Sequence, residues 1–276
     1  MRTRQVIRYT LLTLAIGAGT ALMNTQHEEK TEYHPRDYAE IAESGVLRAV
    51  TEYNSVSYHV TGDTVEGFDY ELLHAFATDK GLRLELHPVM SFEERLEGVC
   101  QGRYDLLAAG TLVNTRSKDS LLFTRTLLQG KQVLVQRKSA GPDDSLFLRN
   151  QLDLAHKRLY VVKGSPALLR LHHLISEMAD TIYIEEVEQY GQEQLLAMVA
   201  GGDIDYAVCE ERIARNLLPE FPELDTGTDI SFTQFYAWGT GRRSPALLDS
   251  LNAWLDTYIP SRAYQQLLRK YFKKTT

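Results

Sequence analysis

The sequence predicts an α/β protein of two similar lobes, each a sheet with crossover helices, between which the chain crosses twice. Three observations predict it. Between residues 46 and 109 strand and helix patterns alternate, the order of a parallel sheet wrapped by helices. Part of that stretch returns at a fixed offset: Leu96, Val99, Gly102 and Asp105 recur as Leu196, Val199, Gly202 and Asp205. The chain also breaks into turn-rich segments near 130–140 and 224–234, so it crosses between lobes twice. Its middle then lies in one lobe and both ends in the other.

The elements follow in order. Residues 1–8 carry Arg2, Arg4 and Arg8, residues 9–23 carry no charge, and a polar stretch follows. That is the layout of an export signal, with Gly19-Thr20-Ala21 as small residues for cleavage. The apolar part falls short of the about 20 residues of a spanning helix. An uncleaved anchor is the alternative, and either places the bulk of the chain in the periplasm. No Cys follows, so no lipid-modified N-terminal Cys is expected. Residues 24–44 read as a polar tether. Val46–Thr51 is a short apolar strand. Tyr70–Lys80 has helical spacing through Leu72, Leu73, Phe76 and Ala77, with Gly81 as terminator. Leu82–His87 alternates like a strand. Ser91 caps the next helix with Glu94 as its capping-box partner, and Asp105–Ala109 is the third strand. Gln132–Gln136 again alternates. The strand ending at Lys163 meets Gly164, with Ser165 and Pro166 as cap and first residue of a helix. Ile204–Cys209 is the strand of the second copy. Phe232–Trp238 is a strand, Ser244 and Pro245 open a helix to Tyr258, and Ala263–Phe272 is a last helix with a basic end. The expected division is 1–23 signal or anchor, 24–44 tether, 45–134 with 230–276 as lobe 1, and 135–229 as lobe 2.

With 276 residues, 43% hydrophobic and 24% charged, the chain can bury a core and is too ordinary for a disordered, collagenous or coiled-coil protein. Its formal charge is −7, and −10 without the three arginines of 1–23. That excludes a general nucleic-acid binder, which needs a basic surface. Cys100 and Cys209 make neither a disulfide framework nor a zinc site. His172 and His173 are adjacent and cannot share a helical face. H-E-x-x-H, P-loop and G-x-S-x-G motifs are absent. No metal, no cofactor and no catalytic residue is expected.

The candidate site lies at the carboxyl ends of strands, where open α/β sheets hold ligands. Gly164-Ser165-Pro166 puts a helix N-terminus at such an end, offering N–H groups and a dipole to an anion; the alternative is that Ser165 only caps its helix. Gly110 and Thr111 are the equivalent place in the first lobe. Arg116 nearby could grip a carboxylate through both arms or stay a surface charge. Glu210 and Glu211 follow a strand, and one carboxylate facing the cleft would pair with an ammonium. Tyr53 and Tyr58 follow the first strand and could cover a ligand or be ordinary half-buried rings.

The stretches Gly45–Tyr53, Gly67-Phe-Asp-Tyr-Glu-Leu72, Gln101-Gly-Arg-Tyr-Asp-Leu-Leu-Ala-Ala109, Val162-Lys-Gly-Ser165, Gly202-Asp-Ile-Asp-Tyr-Ala-Val208 and Ser244–Asn252 together resemble family 3 of the extracytoplasmic solute-binding proteins. The resemblance runs from about residue 45 to 273. Within it, Gly67–Leu72 and Asp105–Gly110 are similar to the substrate-binding-like half of membrane-bound lytic murein transglycosylase F. That enzyme has a second, catalytic domain, for which a chain ending at Thr276 is expected to have no room. The resemblance implies a periplasmic-binding-protein-like type II fold, a two-strand hinge, and a small polar ligand between closing lobes. It implies Ser165 for a ligand carboxylate, Glu210 at an acidic position for an α-ammonium, and Glu52 near the acidic or polar position after the first strand. The family arginine, counted from Asp105 and back from Phe123, falls on Ser117. Two alignments follow: one keeps Ser117 in that place, and one slips the loop by a residue and brings Arg116 into the cleft, five residues after Thr111.

The expected function is an exported solute-binding protein for an amino acid or a wall-derived peptide, monomeric, serving an ABC-type permease, and not an enzyme. One alternative is a sensory or regulatory module of the cell envelope. The other is an enzyme like the periplasmic cyclohexadienyl dehydratases, which share the fold.

Overall fold

The computed structural model describes residues 33–113 and 115–272, apart from the side chains of Thr115 and Arg116. The expected export stretch, the first part of the expected tether and the Arg116 side chain lie outside the described residues.

Two α/β lobes are present. The first lobe's sheet contains β1 (Val46–Thr51), β4 (Arg83–Pro88), β5 (Leu106–Leu112), β6 (Leu121–Phe123), β7 (Leu128–Gly130) and β13 (Gln234–Gly241). Their order is β4-β1-β5-β13-β6, with β7 also paired to β13. β1 is parallel to β4 and β5, and β13 is antiparallel to β5. A hairpin of β2 (His59–Thr61) and β3 (Thr64–Glu66) stands outside this sheet. The helices of this half are α1 (Tyr38–Ser44), α2 (Phe68–Asp79), α3 (Phe92–Cys100), α4 (Thr115–Ser120), α8 (Pro245–Tyr258) and α9 (Arg262–Tyr271). The second sheet contains β8 (Gln132–Arg137), β9 (Arg158–Val162), β10 (Tyr183–Val187), β11 (Ala207–Glu210) and β12 (Leu224–Asp225), in the order β10-β9-β11-β8-β12. Its helices are α5 (Ala167–Met178), α6 (Gln192–Gly201) and α7 (Glu211–Leu217).

The strands are apolar runs because both faces of each sheet are covered. In β5, Leu106 and Ala108 enter a core with Leu72, Phe76, Trp238 and Leu251, while Leu107 and Ala109 enter another with Val50, Val99 and Leu121. In β8, Val133 and Val135 face one core and Leu134 the other. Cys100 and Cys209 are free, the first exposed and the second buried.

The recurring Gly and Asp mark one joint built twice. Gly102 and Gly202 both turn the chain with left-handed backbone, φ 80° and 82°. Asp105 then pairs with Arg48 of the neighbouring strand at 2.9 Å and with Arg36 at 2.5 Å. Asp205 pairs with Arg137 of its neighbouring strand at 2.5 Å. Arg48 also donates to the Gly102 carbonyl, and Arg137 to the Val199 and Ile204 carbonyls. In both lobes an arginine ties the end of a helix to the strand beside it.

Three expectations need correction. The tether is not one from His34 onward. Asp37 and Glu40 form a capping box on α1, which ends at Gly45 with φ 67°. Arg36 reaches the buried Asp105, so these polar residues are partners of buried groups rather than solvent-facing spacers. Ser244 stands at the start of α8 without capping it through its side chain; its hydroxyl donates to the Arg36 carbonyl at 2.6 Å. Asp37 supplies the cap instead, accepting from the Ala246 and Leu247 amides at 3.2 and 2.8 Å. Finally, the sheet changes at Lys131, between β7 and β8, ahead of the expected boundary at 134. The return crossing lies beside it: Gln132 accepts from the Ile230 and Ser231 amides at 2.8 and 3.2 Å, and Lys131 Nζ lies 2.6 Å from Asp229 Oδ2.

Candidate functional site

The carboxyl ends of β1 and β5 in one lobe and of β9 and β11 in the other carry Glu52, Gly110, Ser165 and Glu210. The lobes touch around them. The Ser55 amide donates to Glu193 Oε1 of α6 at 2.7 Å. Val56, from the loop after β1, is buried in the second lobe's core with Leu195, Leu196 and Val199. A Cβ built on Gly164 would lie 3.6 Å from Phe92 Cβ of the first lobe.

Glu210 is buried and is the N-cap of α7, accepting from the Arg212 amide at 3.3 Å. The same oxygen accepts from Arg212 Nε at 2.7 Å. The carboxylate that sequence reading reserves for an ammonium thus already holds a guanidinium of its own chain. That guanidinium, only 11% exposed, lies against the other lobe. Its central carbon is 4.6 Å from the ring centre of Tyr236 in β13 and 5.6 Å from that of Phe272. A Cβ built on Gly110 would lie 3.8 Å from Arg212 Nη2 and 3.6 Å from Tyr236 Cδ1. At Gly130 a Cβ would come to 2.7 Å from Glu210 Oε1. At Gly130 a side chain would collide with the pair, whereas at Gly110 it would only touch it.

The structure therefore brings Gly110 and Glu210 together, through a residue the sequence reading passed over. Glu210-Glu211-Arg212 looks like ordinary charge at a helix start. The available signal was position: Arg212 stands two residues past a strand end already chosen as a site.

The other expected residues are placed as follows. Glu52 is paired with Arg95 of α3 at 2.9 Å, so it too meets an internal cation. Tyr53 and Tyr58 pack edge to face with ring centres 6.0 Å apart, and Tyr53 stays largely exposed. Thr111 is buried, its hydroxyl donating to the Ala109 carbonyl at 3.1 Å within its own strand. Ser117 donates from its hydroxyl to the Leu112 carbonyl at 2.9 Å. Ser165, expected as the N-cap, stands one residue ahead of it: Pro166 is the N-cap of α5, which begins at Ala167, and the Ser165 hydroxyl accepts from the Ala167 amide at 3.2 Å. Asp69, within Gly67–Leu72, is a buried acid near this cluster. Burial pushes its carboxyl up to about 6, against the stabilising donations from Trp238 Nε1 at 2.7 Å and from Ser57. Among the described residues no group of three His, Cys, Asp or Glu side chains could hold a metal.

A family model described as bacterial extracellular solute-binding proteins, family 3, matches residues 47–274. The chain is 28% identical over 274 residues to membrane-bound lytic murein transglycosylase F of Aeromonas hydrophila, covering 98% of this chain and 51% of that protein. It is 30% identical over 246 residues to the protein of the same name in Aeromonas salmonicida, covering 87% and 47%. It spans about half the length of these relatives. Among solved structures, a mutant of ArgBP from T. maritima matches with a TM-score of 0.74 at 20% identity, over 86% of this chain and 99% of that one. An amino acid ABC transporter substrate-binding protein from Streptococcus pneumoniae, bound to L-arginine, matches with a TM-score of 0.72 at 22% identity, over 85% and 98%. At these identities the likeness to solved structures is one of fold.

Proposed function

The chain belongs to family 3 of the bacterial extracellular solute-binding proteins, and from that premise we propose that it captures a small polar solute, an amino acid or a wall-derived peptide, between its two lobes. It works in the periplasm as a monomer, hands the solute to the permease of an ABC-type importer, and catalyses no reaction. The observation that carries this reading is the meeting of two strand ends across the lobes, Gly110 of β5 and Glu210 of β11, with Arg212 between them. The same reading assigns Glu52, Tyr53, Tyr58, Thr111 and Ser165 to the ligand's surroundings.

A second reading has its own support. The relatives named above are lytic transglycosylases, and this chain matches about half of each. On that reading the same cleft serves as a sensory module of the envelope, without a transporter.

Thermal-shift screening of the exported chain against L-amino acids and short wall peptides tests ligand capture. A ligand at 100 times its Kd stabilises a one-site protein by about 2.7 kcal/mol. No shift across both classes would refute the reading. A bound ligand whose uptake is unchanged in cells lacking the protein would favour the sensory module.

A further inference from the structure

We propose that Arg212 is the residue that receives the ligand's carboxylate, gripping it with the free arm of its guanidinium. The inference rests on the ligand-capture reading above and adds to it the chemical class of the group bound.

The argument starts from the fork of the side chain. Arginine offers five N–H donors in a rigid plane and no acceptor. At Arg212, Nε is committed to Glu210 at 2.7 Å. Nη1 is buried and has no hydrogen-bond partner among the described residues. A buried donor on a charged group is costly to leave unmade. Around the guanidinium stand the rings of Tyr236 and Phe272 and the backbone at Gly110 and Gly130; the nearby Asp69 carboxyl acts on its charge but accepts from Trp238. Flat rings support the guanidinium's face and offer its edge no acceptor. The group that completes this arrangement is a planar oxyanion approaching edge-on.

Electrostatics favours the same class. Two of the acids expected at the site, Glu52 and the ammonium candidate Glu210, each meet an internal arginine, Arg95 and Arg212. The cleft's acidic charge is spent within the chain, and the unfilled hydrogen bond belongs to a cation. Because Arg212 comes from the second lobe and stands against Gly110 of the first, a carboxylate held there touches both lobes at once.

The test uses the exported chain and two probe series: the proteinogenic L-amino acids with a wall tetrapeptide, and the C-terminal carboxamide of each. Calorimetry is run on wild type, Arg212→Lys and Arg212→Gln. The acid that binds wild type best should lose roughly 10- to 150-fold on conversion to its carboxamide. Arg212→Gln should weaken the acid by a similar factor and change the carboxamide's affinity less than about two-fold, collapsing the difference between them. Arg212→Lys should fall between, because a point charge cannot reproduce the fork. Acid and carboxamide binding wild type alike would overturn the assignment while leaving ligand capture intact. So would an unchanged acid-to-carboxamide ratio in both variants. If Arg212→Gln does not fold, wild type and Arg212→Lys carry the same comparison. Absence of binding in both series would refute ligand capture and this assignment together.

Discussion

Tyr236 lies beneath the Arg212 guanidinium, 4.6 Å from ring centre to central carbon, although the ring belongs to one sheet and the arginine follows a strand of the other. The hydroxyl of the same tyrosine accepts from Gln132 Nε2 at 3.0 Å, on the strand where the chain crosses between lobes. One buried side chain thus touches both the candidate site and the crossing.

Tyr236→Phe keeps the ring and leaves the buried Gln132 amide without its acceptor, which should cost about 1–3 kcal/mol. Tyr236→Leu also removes the cation–π contact and should cost about 0.5–2 kcal/mol more. Urea unfolding of both variants separates the two contributions. Equal stability would show that the ring adds nothing to the arginine.

The two copies of the helix-to-strand joint should differ sharply in their response to mutation. The Asp105 side chain is fully buried between Arg36 and Arg48, so Asp105→Ala strands two half-buried cations and should cost about 3–5 kcal/mol. Asp205 is more than half exposed in its pair with Arg137, and Asp205→Ala should cost at most about 1 kcal/mol. Thermal or urea denaturation of the pair decides it. Similar losses would mean the buried triad is not the stronger clamp.

Asp69 predicts a pH dependence with a definite sign. The folded carboxyl keeps its proton to about pH 6, the unfolded one to only about 4. Between those values the folded state binds more protons, so this group's contribution falls as pH rises from about 4 to about 6 and stays low above that. Asp69→Asn retains an acceptor for Trp238 and carries no charge. Relative to wild type the variant should gain roughly 1–3 kcal/mol between about pH 4.5 and about pH 7.5. Stability curves for the two proteins that run parallel over this range would contradict the prediction.

Much of the fold is legible because two-sided burial writes itself as apolar runs. Leu106–Ala109 is such a run, while Val133–Val135, which reads as part of an alternating strand, is covered on both faces; Gly102 and Gly202 end the helices before β5 and β11. The site is less legible. Whether Arg212 decorates a surface or enters a cleft depends on which way a seven-residue helix leaves its strand, and that is set by the packing of Ile213, Ala214 and Leu217. Ser244 misleads for a similar reason. Its place as a helix cap is taken by Asp37, from the far end of the chain, and no local pattern announces a partner so distant.

The Ser55 amide and Glu193 join the lobes at 2.7 Å, on the side where the loop after β1 plugs into the second core. Glu193→Ala should favour a wider angle between the lobes roughly 10-fold or more, the usual worth of a hydrogen bond to a charged group. Small-angle scattering of the unliganded protein should then report a larger radius of gyration. An unchanged radius would show that this bond does not latch the lobes.

Between β7 and β8 there is a single residue, Lys131, and its ammonium is fastened to Asp229 of the return crossing. A connection so short has no spare length to pay out. The lobes can swing about the paired crossings, but they cannot slide past each other or drift apart. The separation of the two halves is set by the covalent chain, and only their angle is left to vary. One half turns on the other like a door, and Lys131 and Asp229 are its pin.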